Sequence, residues 1–150
     1  MCSSDLALDY NMIIDNVVLG SYPTMFNSKF TQEVSPRTII SMTPYDETPI
    51  NGKIASLQCY RFPISSKMNS EDIISSIVSS ANVLLQETAN KPDSIIYIHC
   101  YEGVNRSAAT VVYYLHLKYG WQLAHCIEFL SSKRKIAINE TMMAVLEELC

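Results

Sequence analysis

"IYIHCYEGVNRSAATVVYYLHLKYG", Ile96 to Gly120, decides how this chain reads. "SIIYIH", Ser94 to His99, is a continuous apolar run bounded by turn residues, the pattern of a central strand buried on both faces. From Arg106 to Tyr119 the spacing predicts a helix, stopped by Gly120. The seam between them holds a cysteine, a glycine and an arginine. A thiol is a useful nucleophile only as thiolate, and a helix N-terminus with a nearby arginine lowers a cysteine pKa to roughly 3.5–7.5. Cys100 has both in prospect. The backbone N–H groups of Tyr101, Glu102, Gly103, Val104, Asn105 and Arg106 can curl into an anion-binding nest, backed by the first turn of the helix. Gly103 permits the positive φ or close approach such a cradle needs. Arg106 can grip two oxygens of a tetrahedral oxyanion with its planar fork, and Ser107 can donate its hydroxyl to the sulfur. The unit reads as a nucleophile inside a phosphate cradle, suited to attack on phosphorus, a phosphocysteine and then hydrolysis. Singly, these residues are a small buried cysteine, a turn glycine and a surface cation. Their order favours chemistry: strand, His-Cys, loop, Arg-Ser, helix.

Working outward, "MIIDNVVLG" (Met12–Gly20) is strand-rich and ends in a glycine turn. "RTIISMT" (Arg37–Thr43) and "LQCYRFPI" (Leu57–Ile64) are strand candidates, with the turn-rich "PYDETPING" between them. From Asp72, Ile73, Ile74, Ile77, Val78, Ala81, Leu84, Leu85 and Thr88 share one helical face. Ser70 is the expected N-cap, Glu71 and Asp72 suit the first turn, and Asn90 and Pro92 end the helix. Ser75, Ser76, Ser79 and Ser80 read as a solvated face. Further helices are expected over Gln122–Lys133, with Leu123, Cys126, Ile127 and Leu130 inward, and from a cap at Asn139 to Leu149. Tyr113, Tyr114, Leu117 and Tyr119 read as core and rim packing, and Trp121 as an inter-helix contact. Strands alternating with helices imply an α/β fold, a central mostly parallel sheet of about five strands flanked by helices. Ligands in such sheets sit beyond the carboxyl ends of the strands, where His99-Cys100 falls.

The 150 residues suit one domain over 1–150. Hydrophobic residues make up 48% and charged residues 17%, a globular balance rather than a disordered one. A net charge of −4 leaves no general basic face for nucleic acid, so any anion site must be local. Cys2, Cys59, Cys100, Cys126 and Cys150 are odd in number and show no CxxC pair. That argues against a disulfide framework or zinc site and for a reducing, intracellular compartment, cytoplasmic or nuclear. No signal peptide or apolar run long enough for a membrane span is expected.

"HCYEGVNRS" resembles the HC-x5-R-[ST] signature of the cysteine-dependent protein tyrosine phosphatases, and within them the dual-specificity phosphatases. "IIDNVVLGSY", "TIISMT", "YRFPIS" and "KRKIAINETMMAVLEEL" are similar, in the right order, to that family's strand and closing-helix motifs. The resemblance implies a phosphotyrosine protein phosphatase-like fold and a protein phosphatase acting on phosphotyrosine and on phosphoserine or phosphothreonine. It makes Cys100 the nucleophile, Arg106 and the Tyr101–Arg106 loop the phosphate binder, Ser107 the aid to turnover, and His99 a buried modulator. It implies neither cofactor nor metal, and a phosphorylated protein, such as a kinase or other signalling protein, as substrate.

Departures matter as much. The family places a general-acid aspartate where "FPISSKMNSEDI" has Ser66. Glu71 and Asp72 are the nearest carboxylates, though the helix cap already accounts for them. Glu102 reads as a loop-shaping or substrate-facing charge. Ser41 stands where an asparagine commonly braces the loop, Asn105 where serine is usual, and Ile138-Asn139 where Pro-Asn is usual. A missing acid costs roughly 10²–10⁴-fold, so a weakened or specialised phosphatase is expected. Two other readings stand beside it. One is a phosphoprotein-binding pseudophosphatase. The other is an RNA 5′-triphosphatase, which Asn105-Arg106-Ser107 suits but Ala108 does not. Lys133-Arg134-Lys135 reads as a solvated helix end.

Overall fold

The computed structural model describes residues 8–43, 57–65 and 67–150. Strands β1 (Tyr10–Ile14) and β2 (Val17–Gly20) form an antiparallel hairpin, so the strand-rich segment expected over Met12–Gly20 holds parts of two strands. Asp15 and Asn16 turn the chain at φ 55° and 62°. Two successive left-handed residues match the twist of a tight hairpin, and Asp and Asn tolerate that region. The remaining strands are β3 (Thr38–Ser41), β4 (Gln58–Arg61) and β5 (Ile96–His99), within the segments expected but trimmed at their ends. The sheet order is β1-β2-β5-β3-β4, with β2, β5, β3 and β4 parallel to one another and β1 antiparallel at the edge. The loop "PYDETPING" lies outside the described residues.

Between β2 and β3 the chain makes a 3-10 turn (Pro23–Phe26) and a short helix, α1 (Ser28–Glu33). Neither was legible in the sequence, because each is too short to show a period. Asn27 fixes α1 by accepting from the N–H groups of Lys29 and Phe30. The longer helices are α2 (Ser70–Asn90), α3 (Arg106–Tyr119), α4 (Leu123–Lys133) and α5 (Glu140–Leu149).

Alternation along the central strands assigns the two faces. Val17, Leu19, Ile40, Ile96 and Ile98 pack into one core with Ile77, Leu84, Val112, Leu115, Leu130 and Leu146 of the long helices. Val18, Ile39 and Tyr97 face the other way, onto Met25 and Phe30. β2, β3 and β5 are buried along their whole length. The continuous apolar runs reflect this two-sided cover.

Two local expectations are corrected. The N-cap of α2 is Asn69, whose side chain accepts from Asp72 N–H at 2.9 Å, and Ser70 is the first helical residue. Ser75 is exposed, but Ser80 is fully buried and does not belong to a solvated face. It falls on the stripe of Ile73, Ile77, Ala81 and Leu84. Its hydroxyl is 2.7 Å from the Ser76 carbonyl and 2.9 Å from Thr110 Oγ1, so burial leaves no polar atom unmet. Asn139 caps α5 as expected, accepting from Met142 N–H.

The register brings Gly20, Ser41 and His99 to one level, so β2, β3 and β5 end together. The loop after His99 leaves from between its two neighbours. Gly20 is needed there: a Cβ would come within 2.5 Å of the Asp9 carbonyl and would meet the Tyr97 hydroxyl. Gly20→Ala is expected to destabilise by about 1–3 kcal/mol through overpacking. Urea unfolding should show a lower midpoint at unchanged slope.

Candidate active site

Cys100 follows the last residue of β5 and is only 4% exposed. Burial raises its thiol pKa. Hydrogen bonds from the Ser107 hydroxyl and from the N–H groups of Ser107, Gly103 and Asn105 outweigh that, and the net shift is downward. Ser107 Oγ lies 3.2 Å from the sulfur and is itself fully buried. The loop thus curls its amides toward the thiol, and α3 begins at Arg106 directly behind. Gly103 has φ 72°, and a side chain there would run into the Gly20 carbonyl, so the loop rests on the end of β2. His99 is fully buried, its Nδ1 3.2 Å from the Cys100 carbonyl.

The back of the loop is held by a segment the sequence reading had assigned to solvent. Arg134 is 6% exposed, not part of a solvated helix end. Its Nε donates to the Gly103 carbonyl at 3.0 Å and its Nη2 to the Glu102 carbonyl at 2.8 Å. Its Nη1 reaches Asp9 and Asn11 at 2.8 and 3.1 Å. Ala137 N–H donates to the Val104 carbonyl, and Asn139 N–H to the Asn105 side chain, both at 2.8 Å. With the carbonyls drawn outward, the amides are left to face the thiol. A basic triplet at a helix end carried no sign of this. The hint was the polar run of the loop, whose outward carbonyls needed donors from somewhere.

Around the mouth, a cavity of about 190 Å³ is lined by Cys100, Tyr101, Glu102, Val104, Asn105 and Arg106. Tyr101 is half exposed, its ring stacked 6.4 Å from Tyr22, which also lies over His99. Tyr22 N–H donates to the Tyr101 carbonyl at 2.9 Å. Tyr22 is thus a neighbour of the site that sequence reading missed. Glu102 is exposed. Ser66 lies outside the described residues. Glu71 and Asp72 are exposed in the first turn of α2 and line neither this cavity nor the cleft beside it. The structure therefore does not bring them to Cys100. Ser41 is buried, its hydroxyl 3.1 Å from Thr43 Oγ1. Among the described residues no group of acidic, histidine or cysteine side chains is arranged to hold a metal ion.

A thiol at the carboxyl edge of a parallel sheet, ringed by amides and followed by Arg-Ser on a helix, defines a cysteine-centred oxyanion site. The family description "Dual specificity phosphatase, catalytic domain" matches residues 17–149, and the chain belongs to this family. It is 38% identical over 61 residues to the human protein phosphatase Slingshot homolog 2, a match spanning 40% of this chain and 4% of that protein. Its fold is similar to that of the Cydia pomonella PTP-2 phosphatase (18% identity, 95% and 90% of the chains, TM-score 0.82). It is also similar to PTPMT1 in complex with PI(5)P (19% identity, 93% of each chain, TM-score 0.74).

Thiol alkylation and substitutions at Ser107 and Arg134 test this geometry. Iodoacetamide reacts with the thiolate, so the Cys100 alkylation rate should rise with pH through a midpoint below the ordinary thiol value of about 8.5. Ser107→Ala removes a donor to the thiolate and should move that midpoint upward. Arg134→Lys cannot serve two carbonyls and a carboxylate with one ammonium. It should lower kcat/KM for an aryl phosphate by about 10–100-fold through a misplaced loop, while Arg134→Met should also lower the unfolding free energy by about 1–3 kcal/mol for each carbonyl left unmet.

Proposed function

We propose that this domain hydrolyses phosphomonoesters on phosphorylated proteins, through a phosphocysteine on Cys100. The observation that carries the reading is the buried Cys100 sulfur, held by the Ser107 hydroxyl and by the amides of Gly103, Asn105 and Ser107. Arg106 and the loop amides bind the phosphoryl oxygens and stabilise the charge that builds on them in the transition state. The thiolate attacks phosphorus, an S–P bond forms and the ester P–O bond breaks. Water then attacks phosphorus, releasing inorganic phosphate and restoring the thiolate, which the Ser107 hydroxyl stabilises as leaving group. The Tyr101, Glu102, Val104 and Asn105 side chains add no cation to the loop, which favours a phosphoprotein over a polyanionic inositol headgroup.

The leaving oxygen needs a proton. Glu102 is the one carboxylate among the described residues that line the mouth and its adjoining cleft. It lies on the exposed rim of the loop. With Ser66 at the position the family gives to aspartate, the leaving group takes its proton from water. Turnover is then governed by leaving-group basicity, so phenolates leave well and alkoxides poorly. The free cysteines Cys59, Cys100, Cys126 and Cys150 support a reducing compartment, and no helix among the described residues is long and apolar enough to cross a membrane.

The test uses p-nitrophenyl phosphate, a phosphotyrosine peptide, a phosphoserine peptide and a triphosphate-ended RNA. The aryl esters should exceed the phosphoserine peptide in kcat/KM by at least about 10², with no fall in rate on the basic side near neutral pH. Cys100→Ser should abolish turnover and retain phosphopeptide binding. Equal rates on aryl and alkyl esters would reveal an acid. Release of phosphate from RNA alone would replace the reading with an RNA phosphatase, and tight phosphopeptide binding without turnover would replace it with a binding module.

A further inference from the structure

Beside the thiol cavity lies a second cleft of about 250 Å³. Its described lining has a buried apolar floor of Ile64, Ile73 and Met142, with Met68 half-buried above it. Asn105 and Arg106 line this cleft and the thiol cavity alike. The two spaces are therefore neighbours, separated by Asn105 and Arg106, the latter being the residue that would hold phosphate.

We propose that this cleft is a substrate subsite that takes one uncharged, apolar side chain adjacent to the phosphorylated residue. The inference rests on the phosphoprotein reading above, and four features argue for it. Sharing Arg106 with the thiol cavity places the cleft next to a bound phosphate, and consecutive Cα atoms are about 3.8 Å apart, so the occupant is an immediate or near neighbour in the peptide. The size is below the ~300–1,000 Å³ of sites for whole small molecules and suits a single side chain. Arg106 is the one charged residue in the described lining, and the phosphate neutralises it. A second phosphate or an acidic neighbour would therefore find no cation of its own, and a lysine no carboxylate. The two methionines give an adaptable apolar wall, so leucine, methionine and phenylalanine are all admissible.

The rim is polar, and part of it is already spent. Asn105 accepts from Asn139 N–H, which fixes the wall between cleft and loop. Ser65 N–H donates to Met68 Sδ at 3.2 Å, which ties the half-buried Met68 side chain back to Ser65 on the same lining. The cleft is thus shaped before any peptide arrives.

The experiment measures Kd by titration of Cys100→Ser with phosphotyrosine peptides, in which the residues on each side of the phosphotyrosine are set in turn to Leu, Ala, Asp, Lys and phosphoserine. Removing an apolar side chain from such a cleft should weaken binding roughly tenfold. Leu should therefore bind about tenfold tighter than Ala at one of the positions, with Asp, Lys and phosphoserine weaker still. Met68→Lys should reverse the order of Leu and Asp at that position. Equal affinities throughout, or a preference for Asp or phosphoserine, would overturn the subsite. Turnover of p-nitrophenyl phosphate by the wild type reports separately on the catalytic reading, because that ester carries no neighbouring residue. The affinity series retains its meaning even if turnover fails.

Discussion

Four hydrogen bonds from the stretch between α4 and α5 hold the loop after β5 in shape. Arg134 takes the carbonyls of Glu102 and Gly103, Ala137 takes that of Val104, and Asn139 takes the Asn105 side chain. A backbone in a tight loop must place its carbonyls somewhere, and any turned inward would repel a phosphate. Turning them outward is acceptable only if donors wait there. The rear wall therefore shapes the loop, and the lowered thiol pKa of Cys100 follows from the Ser107 hydroxyl together with the amides left facing inward.

This arrangement is how an acidic chain could carry the proposed anion site. The net charge of −4 offers no general attraction for phosphate. What the site has instead is orientation: fixed amide dipoles, the start of α3 and one guanidinium around a buried sulfur. Arg134 is a second guanidinium close by, but Asp9 balances it at 2.8 Å, and its fork is turned to carbonyls. The two arginines divide the work. Arg106 faces the ligand space, and Arg134 faces the backbone that makes that space.

Much of the fold was legible because its signals are periodic or long. The apolar run of β5, the α2 stripe and the Gly120 stop of α3 at φ 70° each rest on a local rule that tertiary packing did not override. The hairpin was half seen. "MIIDNVVLG" shows its β-branched residues, but a turn at Asp15-Asn16 lacks the glycine that usually marks it. The 3-10 turn and α1 were not seen, since their burial depends on Tyr97 projecting from the far face of β5. At the site, Cys100, Arg106 and Ser107 drew attention because they are close in sequence, and the structure places the Ser107 hydroxyl 3.2 Å from the Cys100 sulfur. Arg134, Tyr22 and the Met68 cleft did not, because their meaning lies in contacts between distant segments. Ser80 was misread for a related reason: a serine on a helix reads as polar until its partner, Thr110, is placed beside it.

Arg134 and Asp9 are 125 positions apart, near opposite ends of the described chain. During synthesis, β5, Cys100 and Arg106 emerge well before Arg134 does. Until then the Glu102 and Gly103 carbonyls lack their donors, and the amides have no reason to face the sulfur. The Ser107 hydroxyl is a near neighbour of the sulfur in sequence, but the donors that turn the loop carbonyls outward lie about thirty positions further along. The loop is thus shaped late, by the segment that comes to lie behind it.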